Sequence, residues 1–166
     1  MLIYVALVCT VYLGAVIGDY LTTTRQVREG GEEVNPLFRG RPVRRLLDPF
    51  LYATSLVALA SAAEFHFLSV GEYDRAGGLL YDADAPAARL ASLAVFAALA
   101  VSAHKIVASL SNLAVMALGS GLPDLVYRVL PRMPRRIEFL AVVLASLVLV
   151  LPLLVLLRSM TRTVVG

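Results

Sequence analysis

The chain has 166 residues, of which 59% are hydrophobic and only 16% charged. Globular chains carry about 25% charge, and here the charges are also clustered: none falls in residues 1–18, 49–63, 90–104, 106–123 or 139–157. A soluble domain this small has too much surface to leave such runs uncovered, which excludes a soluble enzyme, a disordered tail and a secreted disulfide scaffold. The single cysteine, Cys9, leaves no internal disulfide and no cysteine metal cluster, and reads as a small apolar side chain in a helix.

A bilayer core about 30 Å thick is crossed by roughly 20 helical residues. Four segments qualify: 2–23, 46–70, 90–118 and 139–157. They are rich in Ala and Leu and lack period-two alternation, so strands are disfavoured. The expected fold is an all-α polytopic membrane protein, one domain of four transmembrane helices. The first segment has no basic stretch before it and ends in Gly18-Asp19-Tyr20, so it reads as a span and not as a cleaved signal peptide. The third is about 43 Å long at 1.5 Å per residue, so it must tilt, bend or project. The fourth has only Ser146 among its apolar side chains and is expected to be the most lipid-exposed, with a kink at Pro152.

Between the spans, the first loop holds Arg25, Arg28, Arg39, Arg41, Arg44 and Arg45, with a turn at Asn35-Pro36. The second is acidic, with Glu72, Asp74, Asp82 and Asp84. In the third, Pro123 to Leu130 predicts a short interfacial amphipathic helix ended by Pro131, followed by Arg132, Arg135 and Arg136 at headgroup level. Loops one and three together hold ten arginines. The opposite side holds four: Arg75, Arg89, Arg158 and Arg162. That imbalance predicts loops one and three in the cytoplasm of a cell-membrane protein, both termini outside. Anionic lipid headgroups are the expected partners, and a homo-oligomer or a complex partner is compatible with the apolar surfaces. Nucleic acid is not expected, because the arginines flank the spans and lack an aromatic stacking platform.

Ionisable groups within the spans are costly and mark the interior as the place to look. Asp19, Thr22 and Thr23 lie with Ala15 on one face of the first helix. Gly14 and Gly18 form a small-xxx-small pair on the neighbouring stripe, which permits close helix approach. Glu64 sits in the second span; His104 and Lys105 lie near the middle of the third. An unpaired lysine there costs roughly 2.5–3.5 kcal/mol, so Lys105 is expected to pair with Glu64 or with Asp19. Structural pinning and proton or ion handling are both open. A haem held by His66 and His104 is disfavoured, since they sit roughly 10 Å apart in depth at 1.5 Å per residue. No metal or cofactor is expected.

Asp19, Thr22-Thr23, a glycine-rich turn and Glu33-x-Asn35-Pro36 resemble the signature of a family of small uncharacterised prokaryotic integral membrane proteins, over residues 19–37. The resemblance implies that Asp19, Glu33 and Asn35 act together at one interface. The residues themselves also allow a plainer arrangement, with Asn35 and Pro36 making a turn and Glu33 pairing a loop arginine. No metalloprotease helix, nucleophile elbow, P-loop or dinucleotide fingerprint occurs. Two functional readings follow. The first is a non-enzymatic bundle, either a complex subunit or a small carrier with a buried polar track. The alternative is a membrane enzyme acting on a phosphorylated lipid at the cytoplasmic face, with Arg39, Arg41, Arg44 and Arg45 holding phosphate and Asp19 or Glu33 as base or metal ligand.

Overall fold

The computed structural model describes residues 1–30, 47–71, 73, 84–131 and 135–165, and their side chains except those of 135–139. All the secondary structure described is helical. The helices are α1 (Leu2–Arg28), α2 (Asp48–Ser69), α3 (Pro86–Leu118), α4 (Leu122–Val129) and α5 (Arg135–Val165). Four of them, all but α4, are long and apolar enough to cross a membrane.

The bundle is built around α3, which packs against α1, α2 and α5. Its inward stripe is Ala88, Ala91, Ser92, Val95, Ala98, Leu99, Ser102, Ala103 and Val107, all buried. These residues recur at three- and four-residue steps, one face of a helix. Most are small, which lets neighbouring backbones approach closely where van der Waals contact drives association. The large residues point the other way: Leu56, Leu59, Leu90 and Val148 are each more than two-thirds exposed. A surface of leucine over a core of alanine and serine inverts the pattern of a water-soluble bundle.

Helix ends follow local chemistry. Pro86 opens α3 at a position whose N–H needs no partner. Gly119 closes it in the left-handed conformation, φ +68°, donating its N–H to the Val115 carbonyl at 2.9 Å. The reversal into α4 is tight: a Cβ at Gly121 would lie 2.6 Å from Val115 Cγ2, so only glycine fits without a shift. Asp124 then accepts the Gly121 N–H at 2.6 Å, and Ser111 Oγ accepts that of Leu122 at 2.9 Å. The short helix expected from Pro123 to Leu130 is thus present as α4, one residue out of register at each end.

Two expectations change. The fourth span does not stop at residue 157: α5 runs on to Val165, and its buried residues include Leu154, Leu157, Arg158 and Thr161. Hydropathy ended it at the first charge, but that charge is neutralised inside the bundle. Nor is α5 the most exposed span. That is α2, which buries only Val57, Ser61 and Glu64.

Candidate functional site: two separate charge hubs in the bundle

The first hub sits at the end holding the start of α1. Glu64, on the last turns of α2, is wholly buried, and so is Arg158 on α5. They form a bidentate pair: Nη2 to Oε1 at 2.6 Å and Nη1 to Oε2 at 3.2 Å. Tyr4 of α1 donates its hydroxyl to Glu64 Oε2. Nη2 of Arg158 also reaches Ser92 Oγ of α3 at 3.3 Å. One ion pair therefore ties together all four long helices. The planar fork of arginine suits a buried carboxylate because two parallel hydrogen bonds offset part of the desolvation cost.

The second hub lies near the middle of α3. Lys105 Nζ of α3 is 2.6 Å from Asp19 Oδ2 of α1, and the two side chains are 16% and 14% exposed. The same ammonium lies 4.7 Å from the Phe50 ring centroid on α2, a cation–π contact. One to two turns further on, Asn112 Nδ2 of α3 donates to Thr23 Oγ1 at 3.0 Å and Thr22 Oγ1 at 3.3 Å on α1. The Thr22 hydroxyl itself turns back on the Gly18 and Asp19 carbonyls. Gly18 faces Ser109 of α3, where a Cβ would make ordinary contact at 3.6 Å, whereas Gly14 is exposed and meets nothing. Of the small-residue pair, only Gly18 serves the α1–α3 approach.

The hubs are far apart. Tyr4 and Asp19 are separated by about 22 Å along α1, and Ser92 and Lys105 by about 20 Å along α3, at 1.5 Å per residue. Between them lie buried Val8, Val57, Val95, Leu99 and Leu154. Of the buried hydroxyls in this stretch, Ser61 and Ser102 turn onto their own helices, at Val57 and Ala98, while Tyr12 of α1 donates to the Phe50 carbonyl of α2 at 3.3 Å.

The sequence offered two partners for Lys105, and the structure pairs it with Asp19; Glu64 belongs to the other hub. His104 joins neither. It is the residue before Lys105, rotated about 100° round the helix, and lies exposed on the outer surface of α3. Tyr4, Phe50, Ser92, Asn112 and Arg158 are hub members absent from the sequence expectation. Asn112 was visible in principle, because it follows Lys105 and Ser109 at seven and three residues on the same face. Glu33, Asn35, Arg39, Arg41, Arg44 and Arg45 lie outside the described residues. Among the described residues, no group of three or more His, Cys, Asp or Glu is placed to hold a metal. Comparison with known families, curated proteins and solved structures finds no match to this chain.

Proposed function

We propose that this chain is a non-enzymatic subunit of a membrane assembly, a four-span bundle whose buried charges pin helices together. The observation that carries this reading is the pairing of each intramembrane charge within its own hub, about 20 Å apart on the α3 axis, across a layer of Val and Leu. A carrier that moved ions along side chains would need ionisable groups spaced through that layer, in which the buried hydroxyls of Tyr12, Ser61 and Ser102 are each bonded to a backbone carbonyl. Of the two carboxylates that the phospholipid-enzyme reading offers as base or metal ligand, Asp19 is held by Lys105, and Glu33 lies outside the described residues. On this reading the bundle sits in a cell membrane with loops one and three in the cytoplasm. Arg158, held by Glu64, no longer counts as a tail charge, so the arginine contrast sharpens to ten against three, the three being Arg75, Arg89 and Arg162. The arginines of those loops then face anionic headgroups, with α4 lying along the interface. The resemblance over residues 19–37 adds a role for Glu33 and Asn35 beside Asp19.

The test is reconstitution into proteoliposomes loaded with a pH-sensitive dye, under an imposed pH gradient or potential. The reading expects flux equal to empty vesicles, for the wild type and for Lys105→Met alike. Flux above background that Lys105→Met abolishes, in a protein that remains folded and monodisperse, would overturn it in favour of a carrier.

A further inference from the structure

A polar side chain in the middle of a membrane helix ordinarily faces the bundle interior, a water-filled cavity or a partner. His104 does not face the interior. It lies near the midpoint of α3, residues 86–118, and is exposed on the outside of the bundle. No hydrogen bond joins it to another described side chain. An imidazole in hydrocarbon keeps a donor and an acceptor in need of partners, and no described side chain of this copy supplies them.

The surface around it has a definite pattern. Leu90, Ala94, Ala97, Val101, His104, Ala108 and Ser111 follow one another at alternating steps of four and three residues. Leu90, Ala94, Ala97 and His104 are exposed and Val101 and Ala108 half-buried, while Ser111 ends the run against its own chain, accepting the Leu122 N–H. From Leu90 to Ala108 this is the heptad seam of a left-handed helix pair, running about 27 Å at 1.5 Å per residue. Alanine at three of its positions lets a second helix come close. A single polar residue within such a seam fixes register, because any slip strands it against apolar neighbours.

We propose that α3 pairs with α3 of a second copy of this chain, His104 meeting His104 across a twofold axis normal to the membrane. This rests on the membrane reading above. Copies inserted with the same topology are related by that axis, so their α3 helices run parallel and equivalent residues face each other. The two neutral imidazoles are then self-complementary: one donates its ring N–H and the other accepts on its unprotonated nitrogen. Lys105 and His104, adjacent in sequence, thus have divided duties. Lys105 fastens α3 to its own bundle and His104 joins it to the next.

The experiment is oxidative cross-linking in native membranes, using single-cysteine variants in a Cys9→Ala background. The proposal expects disulfide-linked dimers of twice the chain mass for Ala97→Cys and Ala108→Cys. Leu110→Cys and Leu113→Cys, exposed on a different face, are expected to stay monomeric. His104→Leu, which leaves the internal hubs intact, should weaken the dimer about three- to tenfold in a detergent dilution series, the scale of an interhelical hydrogen bond. Membrane-retained protein with no dimer, equal cross-linking on both faces, an adduct of another mass, or a His104→Leu dimer as tight as wild type would each overturn the proposal. Extraction of the chain from membranes by alkaline carbonate would refute the membrane reading itself, and is scored separately.

Discussion

The two hubs use the same chemistry, a carboxylate on one helix and a cation on another, and differ in how far water is excluded. Glu64 and Arg158 have essentially no exposed surface, whereas Asp19 and Lys105 keep about a seventh of theirs. The cation differs accordingly. Where desolvation is complete the bundle uses arginine, whose bidentate fork, with Tyr4 and Ser92 beside it, saturates the site. Where some access remains it uses lysine, with one carboxylate oxygen and an aromatic face. Removing one partner from the closed hub strands a charge in a site shut off from water. Removing one from the open hub leaves a charge that can still be hydrated.

That contrast can be broken by substitution, read as unfolding free energy in mixed micelles. Arg158→Met should cost the most, roughly 3–5 kcal/mol, because Glu64 is left ionised or forced to take a proton in a sealed site. Adding Glu64→Gln should recover most of that loss, since a neutral pair carries no stranded charge. Lys105→Met should cost less, about 2 kcal/mol, between the values for buried and surface pairs. If Lys105→Met proves the more damaging of the two, the closed-versus-open distinction fails. Tyr4→Phe removes one hydrogen bond to a charged acceptor and should cost about 1.5 kcal/mol. Asn112→Ala should cost about 1 kcal/mol, the smallest effect, since Thr22 and Thr23 stand close enough to the open end to be rehydrated.

Much of the architecture was legible in the residues themselves. Charge-free runs located the spans, and Pro123 with Asp124 marked α4. Lys105 announced its need for a partner through the cost of leaving it alone. What the sequence concealed was phase and partnership. Arg158 ended a hydropathy run and so read as a tail residue, although Leu154, Leu157 and Thr161 place it on a buried face. Glu64 was recognised as an intramembrane charge but given the wrong candidate partner, because pairing across helices depends on stagger that hydropathy does not contain. His104 and Lys105 were grouped together as neighbours, yet a 100° step sends them to opposite duties. Composition locates charges in depth; rotation about the helix axis decides which of them meet.

The central claim is that the two hubs are energetically independent, each closed on its own ion pair. The most direct measurement is a double-mutant cycle between them, combining Tyr4→Phe with Lys105→Met and measuring reversible unfolding of the singles and the double. Sites more than about 10 Å apart with no shared partners are additive to within about 0.5 kcal/mol, and these are about 20 Å apart along the helices. The account predicts a coupling energy inside that limit. A coupling above about 1 kcal/mol, of either sign, would show that the hubs communicate through the bundle and would contradict it.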